Sequence, residues 1–100
     1  MGVIKRRNSD DYILLNAEHV FGRNLYAVNT YLPGPDISRS HARIMWHNGK
    51  WHLQDHSLNG TLHNSSHITK DSKTLKKGDR IKFGAHPDAE FVVVDAAPPV

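Results

Sequence analysis

Apolar and polar residues alternate on both sides of Asn48-Gly49, and no other feature of this 100-residue chain restricts its fold as tightly. Ala42, Ile44 and Trp46 alternate with Arg43, Met45 and His47, and beyond the Asn-Gly step Trp51 and Leu53 alternate with His52 and Gln54. A period of two is the mark of a strand with one face buried. Both Asn and Gly tolerate positive φ, so this step between two such runs predicts a tight hairpin. Its inward face carries Ala42, Ile44, Trp46, Trp51 and Leu53. No stretch keeps helical periodicity over two or three turns.

Segments 12–16, 27–32, 61–64, 80–83 and 91–95 read as further short strands, with Ile81 and Phe83 inward and Arg80 and Lys82 toward water. Turn-forming stretches separate them, such as Pro33-Gly34-Pro35-Asp36 and Ser57-Leu58-Asn59-Gly60. Short strands at close spacing imply an all-β sandwich of two antiparallel sheets. The expected organisation is an N-terminal segment over 1–11 and one domain over 12–95. Residues 96–100, Ala-Ala-Pro-Pro-Val, look like the start of a linker, as in a module of a longer chain.

Composition narrows the function classes. No apolar run approaches the roughly 20 residues a membrane helix needs, and the basic start has no apolar stretch behind it as a signal peptide would. The absence of cysteine excludes a disulfide framework, a thiol nucleophile and a cysteine-containing zinc site. A cytoplasmic location is expected, or a nuclear one in a eukaryote. The formal charge of +3 admits a phosphorylated ligand or a nucleic acid. No continuous basic face with exposed aromatics is evident, however, and the lysines near 73–82 read as solvated surface.

Three loops hold the polar residues that need explaining: Phe21-Gly22-Arg23-Asn24, Asp36-Ile37-Ser38-Arg39-Ser40-His41, and Asp55-His56-Ser57-Leu58-Asn59-Gly60-Thr61. The second enters the hairpin and the third leaves it, so the two emerge at the same end of the sandwich. Two guanidinium groups, a hydroxyl and a carboxamide at one rim suit a tetrahedral dianion beside a peptide backbone. A Ser38–His41–Asp55 triad is the rival reading. It lacks any marked oxyanion hole or cleft, and no catalytic activity is expected. His52 and His56 stand four apart on a strand running into a loop, where that spacing does not converge on a metal. Neither metal nor cofactor is expected, and His63, His67 and His86 read as solvated.

In order and spacing, Gly22-Arg23, Ser38-Arg39-Ser40-His41, Ser57-Leu58-Asn59-Gly60-Thr61 and the stretch from Thr74 to Gly84 together resemble the forkhead-associated (FHA) domain. The resemblance runs from about Tyr12 to Asp95. It implies a sandwich of about eleven strands that binds phosphothreonine peptides through loops at one end. Carried over residue by residue, Arg23, Ser38 and Arg39 hold the phosphate, and Asn59 holds the adjoining peptide backbone. Gly22, His41, Ser57, Gly60 and Thr61 support the loops. Leu58 departs from the pattern, since many members place a hydroxyl donor there. Asp36 and Ile37, with the loop over 85–89, are candidates for reading the residue three positions after the phosphothreonine. Asp36 would favour a basic residue there, and Ile37 would offer an apolar surface. The expected role is a monomeric interaction module for phosphothreonine proteins downstream of a Ser/Thr kinase, with neither nucleic acid nor membrane as partner. The alternative is phosphate-independent interaction on the same fold.

Overall fold

The structure, a computed structural model, describes residues 1–85 and 87–99; His86 of the late loop and Val100 of the tail lie outside the described residues. Among the described residues, eleven strands follow in chain order. The first six are β1 (Gly2–Arg6), β2 (Tyr12–Leu14), β3 (Glu18–Gly22), β4 (Thr30–Tyr31), β5 (Ala42–His47) and β6 (Lys50–Asp55). Then come β7 (Thr61–His63), β8 (Ser66–Ile68), β9 (Ser72–Leu75), β10 (Arg80–Phe83) and β11 (Glu90–Ala96). They form a six-stranded sheet in the order β2-β1-β11-β10-β7-β8 and a five-stranded sheet in the order β4-β3-β5-β6-β9.

The Asn-Gly hairpin is β5–β6, paired from Ala42↔Asp55 to His47↔Lys50. Asn48 and Gly49 both take positive φ, 51° and 78°, whose twist matches that of the flanking strands. Ala42, Ile44, Trp51 and Leu53 are buried as the alternation demands. Trp46 is only partly buried, near the turn of the hairpin, where its ring meets the buried Trp51 edge-on at 5.4 Å.

Phenylalanines join the sheets. Phe21 of β3 stacks on Phe83 of β10 at 4.8 Å, and Phe91 of β11 lies 5.8 Å from Phe83. All three are fully buried. Burying such a ring contributes about 1.5–3 kcal/mol, so this cluster is a large share of what holds the sheets face to face.

The structure departs from the sequence reading in four places. Gly2–Arg6, read as lying ahead of the domain, is an internal strand of the six-stranded sheet with Ile4 fully buried. Strands β3, β8 and β9 were not anticipated. The run over 27–32 contracts to Thr30–Tyr31, and that pair runs parallel to β3, so the five-stranded sheet is mixed. The expected linker is tied at its start: β11 extends to Ala96, and the Trp51 indole donates to the Ala97 carbonyl at 2.8 Å.

His19 of β3 is buried against Phe21. Its Nδ1 accepts the Asn16 N–H at 3.2 Å, which leaves Nε2–H to donate to the Thr30 hydroxyl at 2.7 Å. Burial lowers its pKa from 6.5 to about 4. Between those values the unfolded chain takes up a proton that the fold refuses, so stability falls as pH drops from 6.5 toward 4. Urea unfolding at pH 7 and pH 4.5 should show a loss of about 2–3 kcal/mol from this residue, and His19→Gln should flatten that part of the slope.

Candidate functional site

Four loops meet at one end of the sandwich: β3–β4 (23–29), β4–β5 (32–41), β6–β7 (56–60) and β10–β11 (84–89). Backbone bonds fix the first against the second. The Arg23 N–H donates to the Ser38 carbonyl at 3.0 Å, and the Asn24 N–H donates to Arg39 at 3.2 Å. This close approach requires glycine at Gly22, where a Cβ would overlap the Arg39 carbonyl.

A neutral histidine joins the second loop to the third. His41 is fully buried. Its Nδ1 accepts the Ser38 N–H at 3.1 Å, so Nε2 carries the proton and donates to the Gly60 carbonyl at 3.0 Å. Burial keeps its pKa below 6.5 against the Gly60 bond and the charges of Asp55 and Asp36, which pull it up. Gly60 itself has φ +85°, and a Cβ there would strike the His67 ring.

Beneath the third loop lies Asp55, which is 1% exposed. One carboxylate oxygen accepts the Ser57 hydroxyl at 2.6 Å and the Thr61 hydroxyl at 2.8 Å, and the other accepts the Lys70 N–H at 2.8 Å. The Ser57 oxygen in turn accepts the Gly60 N–H at 2.7 Å. Lys70 also reaches the Ser57 carbonyl with its ammonium group at 2.7 Å. Burial pushes the Asp55 pKa up, but the donors from Ser57, Lys70 and Thr61 outweigh it and hold the carboxyl below its ordinary 3.8. The sequence reading did not place Asp55 and Lys70 among the supporting residues. The available signal was a carboxylate ending a buried strand, with hydroxyls two and six residues on.

On this frame stand the polar groups of the rim. The Ser38 oxygen accepts the Leu58 N–H at 3.1 Å, which leaves the hydroxyl proton for another acceptor. Arg23 donates through Nε to the Ile37 carbonyl at 2.9 Å, fixing the guanidinium while its two terminal nitrogens make no bond among the described residues. Arg39 is exposed, and its side chain has no hydrogen-bond or ion-pair partner among the described residues. By contrast, Arg6, Arg7 and Arg43 pair with Asp11, Glu90 and Glu18. Asn59 donates one carboxamide proton to the Asp36 carbonyl at 3.2 Å. Leu58 is 84% exposed at the tip of the third loop.

Asp36 and Ile37 differ from their expected placement. Ile37 is 2% exposed and belongs to the core, so it offers no apolar surface to a ligand. The Asp36 carboxylate accepts the Ala85 N–H at 2.5 Å, drawing the fourth loop toward the second. It borders a shallow groove with Asn59, Gly60, His67, Lys82 and Gly84.

The FHA domain model matches residues 19–84. Among solved structures, the chain superposes on Mycobacterium tuberculosis EmbR in complex with a low-affinity phosphopeptide, with TM-score 0.82 and 26% identity. That match covers 99% of this chain and 25% of the EmbR chain, so the chain spans a quarter of that protein's length. The FhaA FHA domain, complexed with the intracellular domain of Rv3910, matches with TM-score 0.77 and 26% identity, over 93% of this chain and 99% of that one. An FHA domain from Arabidopsis thaliana matches with TM-score 0.79 and 27% identity, over 99% of this chain and 89% of that one. No curated protein sequence matches the chain.

Removing the Asp55 carboxylate strips three donors of their acceptor. Asp55→Ala should destabilise the domain by about 2–4 kcal/mol in urea unfolding. In the parent protein, Asp55's contribution is complete above pH 3.8 and is lost as pH falls below it, because the folded pKa is depressed.

Proposed function

The chain belongs to the forkhead-associated family, and on that premise we propose that it binds phosphothreonine in peptide segments of partner proteins marked by a Ser/Thr kinase. The observation that carries this reading is the pairing of Arg23 with Ser38. The guanidinium is held by the Ile37 carbonyl, and the hydroxyl is held by the Leu58 N–H, with donors left over on both. No carboxylate neutralises Arg23 or Arg39 among the described residues, so a dianion with three acceptor oxygens is the complementary ligand.

Arg23 and Ser38 bond the phosphate, with Arg39 contributing from beside Ser38. Asn59, oriented by the Asp36 carbonyl, uses its remaining amide donor and acceptor on the peptide backbone. The residues after the phosphothreonine then lie in the groove of Asp36, Asn59, Lys82, Gly84 and Ala85. Because Asp36 is tied to Ala85 and shares that groove with Lys82, a simple preference for a basic residue there does not follow. The partial satisfaction of donors before binding limits reorganisation, which lowers the cost of association.

Calorimetry or fluorescence polarisation with a phosphothreonine peptide and its unphosphorylated twin tests this. Binding should be micromolar, about −8 kcal/mol, for the phosphorylated form alone. Arg23→Ala should weaken it at least about tenfold. Leu58→Thr should tighten it by about threefold to tenfold, since a hydroxyl is placed where the exposed leucine offers none. Equal binding of the two peptides would refute the reading.

A further inference from the structure

A second groove is lined by Arg23, Asn24, Leu25, Tyr26, Tyr31 and Arg39 and has no lining residue in common with the groove that Asn59 borders. Its apolar members are unusually open: Tyr26 is 97% exposed, Leu25 61% and Tyr31 45%. Single exposed apolar residues are ordinary, but three lining one groove mark a contact surface.

The loop that carries Leu25 and Tyr26 is built to hold them there. The Asn24 side chain accepts the Tyr26 N–H at 3.2 Å while its carbonyl accepts the Ala27 N–H at 3.0 Å, closing a turn with Leu25 and Tyr26 at its tip. Asn29 ties the far end of the loop to β3 in both directions: its side chain accepts the Val20 N–H at 2.8 Å, and its N–H donates to the Val20 carbonyl at 2.9 Å. The base is fixed by the Arg23 and Asn24 bonds to the second loop. A braced loop presents its two large apolar side chains with little backbone entropy left to lose on contact.

From this arrangement we infer that the groove is a second recognition subsite, which takes an aromatic or aliphatic side chain from the segment preceding the phosphothreonine in the same peptide. The inference rests on the proposed phosphate reading. The groove shares Arg23 and Arg39 with the phosphate site, so a chain anchored at Ser38 passes directly into it. It shares no lining residue with the groove that Asn59 and Ala85 border, and the extended peptide, crossing at Ser38, leaves one flank in each. The two arginines also favour an acidic backbone neighbour in that flank over a basic one. Phosphate supplies the switch, and the apolar contact distinguishes one phosphorylated partner from another.

Two phosphothreonine peptides test this by fluorescence polarisation. They share the phosphothreonine and the residues after it; one has alanines ahead of it, and the other carries a tyrosine scanned through the three preceding positions. At one of those positions the tyrosine should raise affinity about five- to tenfold. In Tyr26→Ser, checked for an unchanged melting profile, the ratio of the two affinities should fall toward one. Leu25→Ser should move it the same way. Ser38→Ala, which alters the phosphate site but not the lining of the groove, should weaken both peptides while leaving their ratio. A ratio of one in the parent protein, or a ratio unmoved by Tyr26→Ser and Leu25→Ser, overturns the subsite and leaves the phosphate reading standing. Failure of both peptides to bind overturns both. Self-association of the domain that Tyr26→Ser abolishes would assign the patch to a contact between copies and also defeat the inference.

Discussion

The binding end of this domain depends on a buried carboxylate. Asp55 closes β6 and accepts from Ser57, Thr61 and Lys70, so one side chain fixes the departing loop, the next strand and the turn ahead of β9. From Ser57 the chain of bonds passes to the Gly60 N–H, from the Gly60 carbonyl to His41, and from His41 to the Ser38 N–H. Asp55 only accepts, whereas Ser57, Gly60 and His41 each both donate and accept, and among the described residues no buried side-chain polar atom lacks a partner. A network of this kind is costly when broken and rigid when complete. Its last member is Ser38, whose hydroxyl is proposed to meet the phosphate, so the position of a rim serine is set by a carboxylate in the interior.

Two neutral histidines complete the scheme. His19 and His41 both donate through Nε2 and accept through Nδ1, and burial keeps both unprotonated. Protonating His41 would replace the acceptor for the Ser38 N–H with a donor. The proposed phosphate site therefore relies on a group that must stay neutral, although the ligand proposed for it is a dianion and its rim is cationic. Distance and burial reconcile these demands. Arg23 and Arg39 are exposed, while His41 lies behind Ser38 against Phe83.

The hairpin and its loops were legible because their signals are local. Period-two alternation and Asn-Gly turn chemistry need no partner to be recognised, and the loops at either end follow from the hairpin. Strands β8 and β9 carry one buried apolar residue each, Ile68 and Leu75, so only pairing with β7 and β6 reveals them. β3 was hidden because His19 looks polar and is buried, and β1 because basic residues close it. Ile37 read as loop surface, but the turn that presents Ser38 folds its neighbour inward. Asp55 read as a loop acid for a related reason. What buries it is a set of donors spread over fifteen residues, visible only once the chain has folded. The rim residues themselves, Arg23, Ser38, Arg39 and Asn59, were found through their sequence order, and the structure gathers them at one end of the sandwich.

The central claim is that a phosphate placed at Ser38 and Arg23 is what engages this domain. An amide NMR titration with a phosphothreonine peptide tests it residue by residue. Saturable shifts are predicted at Arg23, Ser38, Arg39, Leu58 and Asn59, with Asn48 and Gly49 at the opposite end of the hairpin unmoved. Shifts of equal size with the unphosphorylated peptide, or shifts confined to the outer face of the six-stranded sheet, would contradict it.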